Sequence, residues 1–223
     1  MNRQTHFFLS IAALGVAAFT TTFDAASAVT QEGLVSVESR RLDEVYLRPN
    51  TDLGGYRKVI IDPAQVAMRK DWLKSVNANK DMTRWLVPAD QERIVETAAS
   101  TMGSTVAEVF KARGYEIVSA PGPGVLRLAP SVTDLDVYAP DVPAPGIQRY
   151  FTKLEAGAAT LRLEVRDAVT GTLLGRVVDR NTAREIGRIN RATSVSNEFW
   201  FQAMFRQWAA ECATEIEGPK GQQ

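Results

Sequence analysis

The 223-residue chain carries 26 basic and 26 acidic residues, one histidine and one cysteine. Its net charge of zero gives no global field for nucleic acid or an anionic bilayer, so a general nucleic-acid role is disfavoured. The single histidine, His6, lies inside an export-signal pattern, and a chain processed there has none left for Ser-His-Asp or Cys-His nucleophiles or for histidine zinc sites.

Arg3 provides the positive start of that pattern, Phe7 to Phe19 an uncharged apolar run, and Ala26-Ser27-Ala28 a small-residue cleavage sequence. Cleavage after Ala28 is expected, with residues 1–28 a signal peptide, 29–217 a single globular domain and 218–223 a disordered tail. The apolar run falls short of the ~20 residues a bilayer span needs. A periplasmic address without a transmembrane segment after cleavage is therefore expected. There, one cysteine cannot close an internal disulfide. Cys212 sits in an apolar helical pattern and reads as a buried thiol, an intermolecular disulfide being the alternative.

After a polar stretch over 31–43, Glu44 to Pro49 and a turn-rich Asn50 to Gly55 lead into the β-branched run Tyr56 to Asp62, a strand closed by Asp62-Pro63. Gln65 to Met68 prolongs it past an irregularity. From Arg69 to Val87 no period emerges, which implies a long loop or short helical turns. Arg69, Lys70, Lys74, Lys80 and Arg84 stand there against Asp71 and Asp81, either as an anion-binding lip or as a solvated loop whose Trp72 and Trp85 tuck into the body.

Asp90 is a natural helix cap, and Ile94, Val95, Ala98, Met102, Val106, Val109 and Phe110 recur at three- and four-residue steps. Gly114 stops that helix. Tyr115 to Ser119 reads as a strand, Pro121 to Gly124 as a turn, and Val125 to Leu128 as the returning strand, interrupted by Pro130 before Val132 to Tyr138. The proline-rich 139–146 reads as a semi-rigid loop.

Leu161, Leu163 and Val165 alternate with charges and open a hairpin. With Val169-Thr170-Gly171 as a three-residue loop and Gly171 left-handed, Ala168 faces Thr172, Glu164 meets Arg176 and Leu163 meets Val177. The polar 181–193 reads as a mobile connection. A last helix starts near Ser196 or Asn197 and runs to about Glu217, with Trp200, Met204, Trp208, Cys212 and Ile216 on one stripe.

No phosphate-binding glycine loop is present, and no cofactor is implied. Asp134 and Asp136, two apart on an extended chain, would share a face suited to calcium or magnesium, or simply face solvent. Asp167 reads as a turn residue. Asp179 points inward by alternation and is the acid to check for a perturbed environment. No residue is assigned a catalytic, cofactor or metal role. Arg176, Arg180, Arg184, Arg188 and Arg191 are spaced mostly by four; the last four mark a candidate partner surface for anionic glycan, lipid head groups or an acidic protein, with an ordinary charged surface as the alternative.

Tyr46-Leu47-Arg48-Pro49, Asp52 to Pro63, Leu161 to Asp179 and Trp208-Ala209 together resemble an uncharacterised bacterial envelope family, domain of unknown function thirty-three thirteen. The resemblance implies an envelope address, since members are typically outer-membrane lipoproteins of no established activity. This chain lacks a cysteine at the cleavage site, which points to a soluble periplasmic protein and away from lipid anchoring. The fold expected is α+β (or α/β), a mostly antiparallel sheet packed by two amphipathic helices. The function expected is a non-catalytic binding or scaffolding module for an envelope partner. The alternative is a carboxylate-dependent enzyme acting on glycan or another envelope substrate.

Overall fold

A computed structural model describes residues 32–78, 80–138, 155–184 and 194–217. The export-signal pattern, the proline-rich 139–146, the C-terminal tail, Arg188 and Arg191 lie outside these residues. In chain order come β1 (Val35–Val37), β2 (Glu44–Leu47), β3 (Lys58–Ile61), β4 (Gln65–Met68), α1 (Trp72–Asn77), a 3-10 turn at Met82–Arg84 and α2 (Pro88–Ala112). Then follow β5 (Glu116–Ile117), β6 (Val125–Val137), β7 (Glu155–Asp167), β8 (Leu173–Arg184) and α3 (Ser194–Glu217).

The described strands make one sheet in the order β1-β2-β8-β7-β6-β3-β5, with β4 also on β6. Pairing is antiparallel from β1 through to β6 and parallel for β3, β4 and β5, so the fold is α+β with a mixed, mostly antiparallel sheet. Along the long strands, Leu126, Leu128, Val132, Leu161, Leu163, Val165 and Val177 face inward and are buried. Onto that face pack α2 and α3, which also pack on each other. The α3 stripe of Trp200, Met204, Trp208, Cys212 and Ile216 is buried, as are Met102, Val106, Val109 and Phe110 of α2. Each such large side chain contributes about 1.5–3 kcal/mol before entropy is subtracted.

Five local expectations need correction. The run Val125–Val137 is continuous through Pro130. The Leu128 carbonyl accepts from the Asp62 N–H at 2.9 Å, so by strand alternation a donor at position 130 would aim at the same side. That side is the gap between Ile61 and Gln65, where the β3 ladder has ended and the β4 ladder has not begun, so no bond is forfeited. Next, β5 does not return on β6 as a hairpin: β3 lies between them and pairs with both.

Helix α2 begins at Pro88, not at a cap on Asp90. Proline suits the first helical position because its missing N–H would have no partner there, and the Asp90 carboxylate reaches back to the Val87 N–H at 2.9 Å. Strand β8 runs on to Arg184, where a mobile connection was expected, because Asn181, Thr182 and Ala183 continue the ladder with Ala159, Ala158 and Gly157. The polar stretch after residue 31 contains β1, an edge strand too short to show a period.

The hairpin reaches its expected register by a different route. Asp167 N–H donates to the Thr172 carbonyl at 3.0 Å and Gly171, at φ 69°, closes the loop, which is one residue longer than expected. A bulge between the Val165 and Arg166 pairings absorbs the extra residue. Glu164 therefore still faces Arg176, and Leu163 still faces Val177.

Candidate functional site

Chemistry-bearing side chains gather where β4 ends. The Arg69 N–H extends the β4 ladder to the Leu135 carbonyl at 2.9 Å, and Asp71, left-handed at φ 57°, turns the chain into α1. Trp72 anchors that short helix: it is buried, and its indole N–H donates to the Val137 carbonyl at 3.1 Å. Asn77 then clamps the approach to α2, its amide donating to the Leu86 carbonyl and accepting from the Leu86 N–H, both at 2.9 Å. The Val87 N–H holds the Asp90 carboxyl below its ordinary range, with Arg93 adding to the effect against some desolvation.

Between α1 and the start of α2 these bonds leave a cleft of about 740 Å³, lined by Met68, Arg69, Asp71, Trp72, Leu73, Lys74, Asn77, Ala78, Lys80, Trp85 and Gln91. Its volume lies in the range of small-ligand sites. Trp85 is 49% exposed, so the second tryptophan does not tuck into the body as expected. Its indole N–H donates to the Lys80 carbonyl at 3.0 Å, which spends the side chain's only polar atom and ties the ring to the loop while half of its surface stays open. Met82 and Val87, on either side of it in sequence, are also exposed.

Arg69 joins Asp136 across the cleft wall at 2.8 Å. Lys74 is exposed and makes no ion pair among the described residues, and Asp71 is the one carboxylate in the lining. Five of the rim's backbone donors close on its own carbonyls: Trp72 to Arg69, Ser75 to Asp71, Ala78 to Ser75, Lys80 to Asn77 and Trp85 to Met82. What the cleft offers a ligand is therefore the Trp85 indole, ammonium charge beside the Asp71 carboxylate, and the Gln91 amide. Apart from Arg69, Asp71, Trp72, Lys74, Lys80 and Trp85, which the loop's composition flagged, the constellation was not legible: α1 is only six residues long and sets no period.

The other acids behave as structural residues. A bulge between Thr133 and Asp136 puts Asp134 in the left-handed region at φ 52° and breaks the alternation that would have given the two acids one face. Asp134 is exposed, while Asp136 is taken by Arg69. Among the described residues no group of three or more His, Cys, Asp or Glu is placed to hold a metal ion. Asp167 Oδ1 accepts from the N–H groups of Val169 and Thr170 at 3.0 and 2.7 Å, and its Oδ2 from the Tyr56 hydroxyl at 2.9 Å.

Asp179 is 4% exposed, faces inward opposite Leu161, and accepts from the Asp43 N–H at 3.2 Å and the Asn181 amide at 3.1 Å. Burial raises its pKa against those two bonds. Burial, then the charge of Asp179, pushes the Cys212 thiol well up, which leaves it an inert core residue.

Of the candidate arginines, Arg180 pairs with Glu44 at 3.3 Å and Arg184 ends β8. Arg176 precedes them, bound to Glu32 at 2.8 Å and Glu164 at 2.9 Å. Steps of four share a face on a strand as on a helix. Carboxylates pair with Arg176 and Arg180 on that face.

Among the described residues no helix is long and apolar enough to cross a membrane. The family model described as Protein of unknown function (DUF3313) matches residues 25–212. No curated protein matches the chain. Solved structures similar to it include the PelC dodecamer from Paraburkholderia phytofirmans, at 11% identity and TM-score 0.35, covering 75% of this chain and 96% of that one. Another is protein XCC0632 from Xanthomonas campestris, family-model DUF330, at 11% identity and TM-score 0.40, covering 74% and 86%.

Proposed function

We propose that this chain, which belongs to the family Protein of unknown function (DUF3313), is a non-catalytic periplasmic module that holds an envelope partner or ligand in the cleft beside Trp85. One observation carries the reading: a half-exposed indole, fixed by its bond to Lys80, sits in a concave site with Lys74, which makes no ion pair among the described residues. An exposed tryptophan on a rigid rim contributes contact area at little conformational cost, which is how recognition sites use aromatic residues. Among the described residues Asp71 alone represents the carboxylates in the lining, whereas glycan hydrolysis by acids needs a facing pair. In this reading residues 1–28 are removed on export, and 29–217 work as one domain.

Replacing Gln91 by a photo-crosslinking residue in the exported full-length chain tests the proposal. A specific adduct from the native periplasm, lost in Lys74→Glu, is expected. Turnover of cell-wall material by the purified protein, with no adduct, would overturn it. The intact mass of the exported protein tests the address, and retention of Met1 to Ala28 would contradict it.

A further inference from the structure

Resting on that reading of the cleft, we propose that its ligand is an anionic saccharide, with a sugar ring against the Trp85 face and its carboxylate or phosphate on Lys74. Three observations converge. The indole nitrogen is already bonded to the Lys80 carbonyl, so Trp85 can offer a partner only its ring face. A sugar ring presents a flat array of C–H groups suited to such a face, with the attraction that positive edges have for an aromatic quadrupole.

The charge of the lining is positive on balance, with Arg69, Lys74 and Lys80 against the exposed carboxylate of Asp71. Lys74 projects into the cleft without an ion pair among the described residues, whereas Arg69 is held back by Asp136. A neutral sugar would leave the ammonium unused, and an anion on the sugar completes it. The Gln91 amide lines the same cleft, makes no hydrogen bond among the described residues, and supplies a donor and an acceptor for hydroxyl groups.

An extended acidic peptide fits less well. Peptides recognised along their main chain need open backbone donors and acceptors. Here the N–H groups of Trp72, Ser75, Ala78, Lys80 and Trp85 close on carbonyls of their own segment, the Leu86 N–H is taken by Asn77, and the Val87 N–H by Asp90, which leaves few donors for a main chain. Recognition through side chains alone, on one ring face and one cation, matches a ring-shaped ligand.

Titration calorimetry of the full mature chain, with tri-galacturonate, glucose 6-phosphate, maltotriose, tetraglutamate and phosphatidylglycerol vesicles as probes, tests this. Either charged sugar should bind, weakening with salt, and maltotriose should bind more weakly. Trp85→Ala should lower the affinity about two- to tenfold, and Trp85→Phe should restore most of it. Lys74→Gln should cost severalfold for the charged sugars and nothing for maltotriose. Both side chains are exposed, so all three variants should unfold like the parent.

Binding of tetraglutamate or of the vesicles, with the same dependence on Trp85 and Lys74 and with no binding of either charged sugar, would overturn the saccharide assignment and leave the cleft as the binding site. Sugar binding indifferent to both residues would also overturn it. Absence of binding by every probe, together with absence of the periplasmic adduct, would remove the cleft reading itself.

Discussion

Adding one methyl group at each of two glycines should shift stability in opposite directions. At Gly157, in β7, a Cβ would overlap the carbonyl oxygen of Asp136 and stand 2.7 Å from Phe201 Cζ. The first obstacle is backbone, held by the bulge in β6 and by the Val137 to Gly157 pairing. The second is an α3 ring that is itself buried. Neither can swing aside, so Gly157→Ala forces strand and helix apart, at the ~1–3 kcal/mol typical of overpacking or somewhat more. At Gly103, inside α2, a Cβ meets nothing within 4 Å. Gly103→Ala should therefore gain up to ~1 kcal/mol from helix propensity. For a chain of this size those changes correspond to a fall of roughly 2–12 °C in Tm and a rise of roughly 2–4 °C. Urea titrations of the two variants against the parent check both signs. Equal midpoints for Gly157→Ala and the parent would refute the close seating of α3 on β7.

Trp208 is fully buried, so Trp208→Ala should cost ~3–5 kcal/mol in denaturant titration. Its indole N–H has no hydrogen-bond partner among the described residues, so Trp208→Phe should cost far less than that, since no bond is lost with the nitrogen. The pH dependence of stability should carry the mark of Asp179. Burial raises its folded pKa above the ordinary 3.8, so the folded state binds this proton more tightly than the unfolded chain. That contribution is complete below pH 3.8 and is lost as pH climbs through the raised folded value. Asp179→Asn should remove that loss. Urea midpoints followed from below pH 3.8 to neutrality should converge toward or favour the variant as pH rises, and parallel profiles would rule the mechanism out.

The strands and helices that declare a period were legible in the sequence. Leu161, Leu163 and Val165 alternate with charges, and the Trp200 to Ile216 stripe repeats every four residues, so β7, the first half of β8 and α3 could be read directly. Even there the hairpin loop was one residue longer than its chemistry suggested, and the register held because a bulge took up the difference. Pro130 misled because its tolerance depends on a gap in a neighbouring ladder, a tertiary fact absent from the local sequence. The cleft was half visible as a cationic stretch with two tryptophans. What separates buried Trp72 from exposed Trp85 is a hydrogen bond to Val137 in one case and to Lys80 in the other, and neither leaves a trace in the spacing.

All four tryptophans, at 72, 85, 200 and 208, lie in described segments, and Trp85 alone is exposed. A heteronuclear NMR titration of the indole N–H signals with tri-galacturonate therefore tests the account most directly. The account predicts that the Trp85 resonance moves, because its N–H is bonded to the cleft's own Lys80 carbonyl, while the three core signals stay in place. Movement of the core signals with Trp85 unmoved would place binding elsewhere and contradict it.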